Sequence, residues 1–598
     1  MLIAKDNLGI RYSVSIPKPS NHYVSITMEY GAPNKENQEI KLPVWTPGSY
    51  MVREFAKNVE KIDVFVNSEK TTVSKSDKST WNFKAPQNSS VKVVYTVYCF
   101  EFSVRTSFVD EDQALLNGAS LYMYVPGLEK TRGTINIDYS DTKWKNNITS
   151  LTSTHPPKEE NTKKTLYEYS NYDELVDTPI QLGNFETFSF LISGFTHEVA
   201  MIGQHNANIQ KLKMDMEKIC NTMFNIVGQF PIGPNSTKKY IFIVQNVQNG
   251  GGGIEHLNST VLMMNRFNYN KQKEYTSFLG LVGHEYFHLW NVKRIRPVEL
   301  GPFDYSKENY TNLLWVSEGI TSYYDELALL RAGYVDKNQF LNTITSYING
   351  HENRPGSAYG NLKEMSWDAW IKEYRPNENS KNSNYSYYSK GLIVGCLLDI
   401  EICKATNGEK NLDDVFKLLY SRYLQVYKTG TNGRGFTEAD FFRACDEVTK
   451  KQISNVLSIW INSPITPNYS ELFSELGVLA KSTKTLDSNF GIGCEIKNGN
   501  VYINFVHRSG TGESLGLNVN DEIIALNNIR INSTQLETVW TSLNKPKQLE
   551  FTIQRAGILR NITGEIKPIQ VYNLQLETPK SDTIKSNIAL TKWLSIDK

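Results

Sequence analysis

His284-Glu285-Tyr286-Phe287-His288 is the segment from which the architecture of this chain follows. Two histidines four positions apart on a helix project from one face, where both imidazoles can hold a single zinc ion. The glutamate between them stands beside that ion. Phe278, Leu279, Leu281, Val282 and Leu289 make the helix mostly apolar. A polar cluster on a buried element needs partners, and a metal supplies one. The alternative, a surface helix bearing two unrelated histidines, fits those apolar flanks poorly.

Zinc hydrolases of this type keep three protein ligands and leave a fourth position for water. Trp315-Val316-Ser317-Glu318-Gly319 offers Glu318, thirty residues beyond His288, at the start of a helix running through Ile320 to Tyr324. Asp304, Glu308, Asp325 and Glu326 compete with it. Asp304 and Glu308 sit in a Pro/Asn/Tyr-rich segment and read as solvated, whereas aromatic and apolar residues surround Glu318. Asp325 could instead orient a histidine from outside the ligand shell, which the sequence leaves undecided. Tandem cations at Lys293, Arg294 and Arg296 read first as charge favoured at a helix C-terminus and only second as a binder of substrate carboxylate.

Working outward, 598 residues divide into about four domains at ~150 residues each. A hydrophobic content of 40% and an aromatic content of 12% exclude a disordered chain. Sixty-four basic against sixty-three acidic residues give a net charge of +1, which argues against nucleic-acid binding. No window approaches the ~20 apolar residues of a membrane span. The six cysteines are scattered without close pairs and read as buried thiols. The opening MLIAKDNLGIRYSVS has no secretory pattern. As it stands the sequence implies a cytoplasmic protein, or a periplasmic or exported one if a signal has been removed.

The periodicity predicts a multidomain α+β chain. Residues 1–170 form an antiparallel β domain, with Val24, Ile26 and Met28 alternating with polar neighbours, and Val91–Phe100 and Leu121–Val125 as further strands. Ser153–Lys163 reads as a surface loop and Thr187–Phe195 as one more strand. Residues 171–480 form a mainly helical catalytic domain, with helices at 215–230, 274–294, 312–331, 337–349, 385–405 and 411–425. A long loop occupies 351–384. Strands return in a block at 485–570, and 571–598 read as a polar, loose tail. Tyr240–Gln245 is a strand that runs into Gly250 to Gly253, followed by Ile254-Glu255-His256. Such glycines let a substrate backbone approach and pair at a sheet edge. A merely flexible turn is the alternative, and without a following Lys-Ser/Thr the string is no nucleotide loop.

His284 to Pro297 together with Trp315 to Gly319 resembles the glycyl aminopeptidase family of zinc metallopeptidases. Leu42–Phe55, Val104–Gly127, Gly250–His256, Ser366–Arg375 and Tyr387–Gly391 resemble the same family in the same order, covering most of residues 10–480. The resemblance implies a thermolysin-like catalytic domain behind an N-terminal β domain, with a PDZ domain after it. It implies one zinc ion per chain on His284, His288 and Glu318, with Glu285 as general base. Tyr388-Ser389-Lys390-Gly391 is similar to the Tyr-x-Lys-Gly element of the aminopeptidase N group, whose tyrosine stabilises the oxyanion. Tyr385 and Tyr387 compete for that role. Gly253-Ile254-Glu255-His256 is similar to the Gly-x-Met-Glu-Asn element of the same group, so Gly252 and Gly253 would line the substrate and Glu255 would grip its free α-amine. His256 departs from the asparagine found there.

The family implies release of small N-terminal residues, glycine and alanine, from peptide substrates. A zinc endopeptidase whose PDZ block recruits substrate, or an inactive binding protein built on that block, are the alternatives. Phe490-Gly491-Ile492 resembles the PDZ loop that captures a peptide C-terminal carboxylate, and Ser514–Ile524 the segment before a core strand. There Asn520 replaces a glycine, at a position where asparagine tolerates positive φ.

Overall fold

The computed structural model of the chain describes residues 9–33, 35–154, 163–231, 238–428, 435–464, 467–532, 536–579 and 587–594. Its contacts gather into two compact units: one of 1–311, 324–334 and 413–444, the other of 312–323, 335–412 and 445–598.

The first unit opens with β structure. Its eight-stranded sheet runs Thr152–Ser153, Lys164–Tyr169, Gly133–Asp138, Ile10–Ser15, Tyr23–Gly31, Ser90–Tyr98, Val59–Val66, Glu69–Thr71. The expected alternation is present, with Val24, Ile26, Met28, Val91, Val93, Tyr95 and Val97 buried. The pairing is not antiparallel throughout, because Ile10–Ser15 runs parallel to Gly133–Asp138. Beyond residue 170, Ile180–Gly183 pairs with Gln113–Leu116 and Asn146–Ile148. Most of the Ser153–Lys163 loop lies outside the described residues. Two strands stand where Thr187–Phe195 read as one, Glu186–Ile192 and Phe195–Ile202. They begin a five-stranded sheet that continues through Lys239–Val247 and Ser259–Asn265 to Gly253–Glu255 at its edge. The helix Ile209–Val227 is capped by the Asn208 side chain on the Lys211 amide and closed by left-handed Gly228.

The second unit is helical and then β. Lys337–Glu352 starts with a capping box between Asp336 and Gln339. The expected loop at 351–384 instead holds the short helices Pro355–Ala358, Leu362–Trp367, Ala369–Lys372 and Ser380–Ser383, with Trp370 and Leu362 buried. Runs of four to six residues are too short to show a helical period. A sheet ordered Ile492–Lys497, Asn500–Val506, Glu522–Leu526, Gln548–Arg555, Ile558–Glu565 encloses Phe490, Ile503, Phe551 and Trp540. Asn520 there adopts φ 72°, as its residue type allows. Gly491 is left-handed, but its amide donates to Asn489 Oδ1 at 2.8 Å.

The loose tail expected at 571–598 is not observed among the described residues. Ile569–Glu577 pairs along its length with Leu479–Asp487. The side chains of Asn349 and Asn353 bond both ways to the backbone of Leu574 and Tyr572 at 2.7–3.0 Å, covering the ribbon's outer edge. Ile588–Leu594 is a helix whose Trp593 is fully buried and donates to Tyr323 Oη at 2.9 Å. Its polar composition hid one buried tryptophan and two buried leucines, Leu590 and Leu594, on a single helical face. Five cysteines are buried as expected, while Cys494 is exposed.

Candidate metal centre and substrate edge

The helix Gln272–Phe287 buries Phe278, Leu279, Val282, Tyr286 and Phe287. Tyr286 Oη meets His197 Nε2 at 2.7 Å, and burial pulls the His197 pKa down to about 4, so that ring is a neutral anchor. His284 and His288 present rings 4.8 Å apart at 84°. His284 Nδ1 lies 2.8 Å from Asp325 Oδ2, and His288 Nδ1 lies 2.9 Å from the Asn291 carbonyl. Both partners accept, so each Nδ1 carries the proton and each Nε2 the lone pair that a metal needs. Asp325 is thus a positioning carboxylate, the question its sequence context left open.

Glu318 lies in a π-turn, Trp315–Gly319, continuous with the helix Ile320–Arg331 that carries Asp325. Seven positions, two turns, separate the two carboxylates along one helical face. His284 and His288 belong to the first unit and Glu318 to the second. Gly319 exists for a close crossing: a Cβ there would stand 2.5 Å from Gly391 Cα, and one on Gly391 2.8 Å from Gly319 Cα. That approach brings the start of the helix Tyr387–Ala405 beside Glu318. Burial first, and then the Glu318 and Tyr374 groups, hold the Tyr388 hydroxyl protonated well above its usual range. Tyr388 Oη bonds Tyr374 Oη at 2.9 Å. Among its rivals, Tyr385 packs edge-on against His351 at 4.9 Å, and Tyr387 is fully buried.

Of the rival ligands, Asp304 serves a turn, accepting from the Ser306 amide at 2.9 Å. Glu326 is pushed up to about 8, by burial and then by Asp325 beside it.

The strand Gly253–Glu255 supplies the second half of the site. Met263 N donates to Gly252 O and His256 N to Ser259 O, both at 2.9 Å, so these residues bond inward to Ser259–Asn265. By alternation in an antiparallel ladder, the peptide groups of Gly253 and Glu255 face the open edge. Gly253 is closely packed: an added Cβ would meet Glu285 Cγ and Oε1 at 2.6 Å. Glu255, Glu285 and His288 form a second group whose donor atoms lie within 4.8 Å. Glu255 Oε1 is buried with no hydrogen-bond partner among the described residues. Gly48, a turn glycine by its sequence context, has φ +86°, and a Cβ on it would stand 2.5 Å from Glu255 Oε2.

The His256 ring is tied through one nitrogen only, its Nε2 being buried with no hydrogen-bond partner among the described residues. Its Nδ1 bonds Asp177 at 3.0 Å, and Lys293 Nζ holds the same carboxylate at 3.0 and 3.1 Å. Despite burial, these two partners keep Asp177 below its usual range. Arg294 binds the Leu257 carbonyl and Asn258 Oδ1, the latter at 2.7 Å. Lys293 and Arg294 therefore tie the flank of the edge strand in place.

Comparison with known families matches residues 277–394 to the M61 glycyl aminopeptidase and residues 11–184 to the Peptidase M61 N-terminal domain. Comparison with curated proteins gives no match. Among solved structures, an aminopeptidase N family protein from Idiomarina loihiensis is 26% identical, with a TM-score of 0.87 over 98% of this chain and 100% of that one. An M1 zinc metallopeptidase from Deinococcus radiodurans is 10% identical, with a TM-score of 0.48 over 77% of this chain and 94% of that one. The matches to residues 11–184 and 277–394, with the likeness to an aminopeptidase N family protein along nearly the whole chain, support an M61-type peptidase.

Proposed function

We propose that the chain is a zinc-dependent aminopeptidase that removes small N-terminal residues, glycine and alanine, from peptides. The observation that carries this is the pair His284 and His288, rings 4.8 Å apart with both Nδ1 positions already bonded, beside Glu285 and Glu255; the sequence motif supplies Glu318 as the third ligand. Two imidazoles and one carboxylate are the donor set zinc takes in hydrolases that keep one position for water. When bound, zinc contributes Lewis acidity and lowers the pKa of water to ~7.

The chain's own groups do the rest. Glu285, pressed against Gly253, takes the proton of the attacking water and returns it to the leaving amine. Tyr388, kept protonated, donates to the oxyanion. Glu255 Oε1, lacking a partner, accepts from the substrate ammonium, and its carboxylate neighbour Glu285 adds to the negative field there. The outward peptide groups of Gly253 and Glu255 pair with an extended substrate. One zinc ion per chain is the stoichiometry this arrangement takes.

The block 485–570 we read as PDZ-like in plan. We assign it no peptide ligand, because the Gly491 amide such a ligand needs is bonded to Asn489.

Metal analysis beside a panel of aminoacyl anilides and N-blocked peptides tests the proposal. It expects one zinc per chain and cleavage of free Gly- and Ala-substrates only. A chain that takes up no metal, or that cuts blocked peptides equally well, removes it.

A further inference from the structure

We propose that Arg105 is a carboxylate subsite at the open end of the substrate edge, so that the enzyme favours dipeptides with a free C-terminus. The inference rests on the aminopeptidase reading above and names the substrate class within it.

Arg105 Nη2 reaches the Gly253 carbonyl at 3.5 Å. That carbonyl faces outward from the sheet, on the edge where a substrate backbone would lie. The guanidinium therefore borders the substrate path itself. Its bonding there is incomplete. The 3.5 Å contact is long for an N–H···O bond, and Arg105 Nε is buried with no partner among the described residues. A buried guanidinium N–H without an acceptor is costly, and a carboxylate answers its planar fork best. The loop that presents it is braced. Ser103 Oγ accepts from the Arg105 amide at 3.1 Å and meets Thr106 Oγ1 at 2.9 Å, and Thr106 Oγ1 donates to the Glu101 carbonyl at 2.6 Å.

Spacing fixes which carboxylate. A strand rises about 3.4 Å per residue, so Gly253 lies about 7 Å along the edge from Glu255. Two residues of extended chain span about the same length. With its ammonium at Glu255, a dipeptide carries its terminal carboxylate to the level of Arg105. Charge acts in the same direction. Glu255 and Glu285 repel a substrate carboxylate, and Arg105 stands on the edge as the cation that offsets them. The buried cations Lys293 and Arg294 are already bonded, to Asp177 and to Leu257 and Asn258.

The test compares Ala-Ala with Ala-Ala-amide, in zinc-loaded wild type, Arg105→Gln and Arg105→Lys. Alanine anilide confirms that each preparation is active. The expected wild-type preference for the free acid in kcat/KM is about tenfold or more, the size of one charge-assisted hydrogen bond. In Arg105→Gln the acid-to-amide ratio falls to about one, and Arg105→Lys keeps part of it. Calorimetric binding of the same pair to Glu285→Gln, which retains bound substrate, should show the same preference. A wild-type ratio near one, or a ratio that Arg105→Gln leaves unchanged, overturns the subsite while leaving the aminopeptidase reading intact. Failure of wild type to cleave any of the three substrates overturns that reading, and the subsite with it.

Discussion

Gly253→Ala is the substitution on which the proposed chemistry depends most directly. The added Cβ would lie 2.6 Å from Glu285 Cγ and Oε1 and 2.7 Å from Cδ. Non-bonded carbon atoms settle near 3.5 Å or beyond, so the carboxylate must withdraw by about 1 Å. A displacement of that size at a reacting group costs on the order of a hundredfold. This corresponds to about 2.7 kcal/mol at 1.36 kcal/mol per tenfold. Gly253 is not among the residues with positive φ, so the backbone accepts alanine, and the loss should fall on turnover rather than folding. The assay is kcat/KM on alanine anilide, with zinc content and Tm measured on the same preparation. Because the two changes act on one group, Gly253→Ala with Glu285→Gln should cost little more than Glu285→Gln alone. If Gly253→Ala stays within threefold of wild type with normal zinc, Glu285 is not the base. Full additivity of the two changes would refute the same step.

Four further outcomes are expected. Glu285→Gln should lower kcat by about 10²–10⁴ with zinc still bound; unchanged turnover removes its role. Asp325→Asn should weaken zinc binding by about ten- to a hundredfold in chelator competition, through the lost acceptor for His284 Nδ1. Affinity equal to wild type would make the bond incidental.

Lys390 is buried, and burial pulls its pKa down to about 8 against ~10.4 unfolded. The unfolded chain then holds the proton more firmly, so wild-type stability rises between about pH 8 and 10.4. Lys390→Met should accordingly be more stable than wild type at pH 7, by no more than about 3 kcal/mol, with the advantage shrinking over that window. A pH-independent difference contradicts it. Trp593→Ala should lower stability by about 3–5 kcal/mol in denaturant unfolding, and a change below 1 kcal/mol would show that the helix is not integral to the unit.

The candidate metal ligands His284 and His288 were legible because the pattern that proposes them depends on spacing within one element. His284, Glu285 and His288 share a helix, and Glu318 was separable from Asp304 by its apolar neighbours alone. What the sequence hid is what depends on approach between distant segments. Gly48 reads as an ordinary turn glycine, yet it lies against Glu255, more than 200 positions away. Arg105 reads as one cation among many, and its contact with Gly253 spans 148 positions. Lys293 looked like helix-end charge because Asp177, its partner, lies 116 positions back. The parallel pairing of Ile10–Ser15 with Gly133–Asp138 was missed for a related reason. An alternating pattern fixes which face is buried but not the direction of the neighbour. The Tyr387–Gly391 motif was visible, while the reason for Gly391, its contact with Gly319, needed both helices in place.

The Trp593–Tyr323 bond joins residues 270 positions apart, and Tyr323 in turn donates to Asp399 at 2.7 Å. Ribosomes add about 5–20 residues per second. A growing polypeptide therefore waits roughly 15–50 seconds, at those rates, between making Tyr323 and making the indole that latches it. Throughout that interval the helical run bearing Glu318 lacks one of its buried neighbours. Translation order thus puts completion of this packing late, after the histidine helix and the edge strand have both been made.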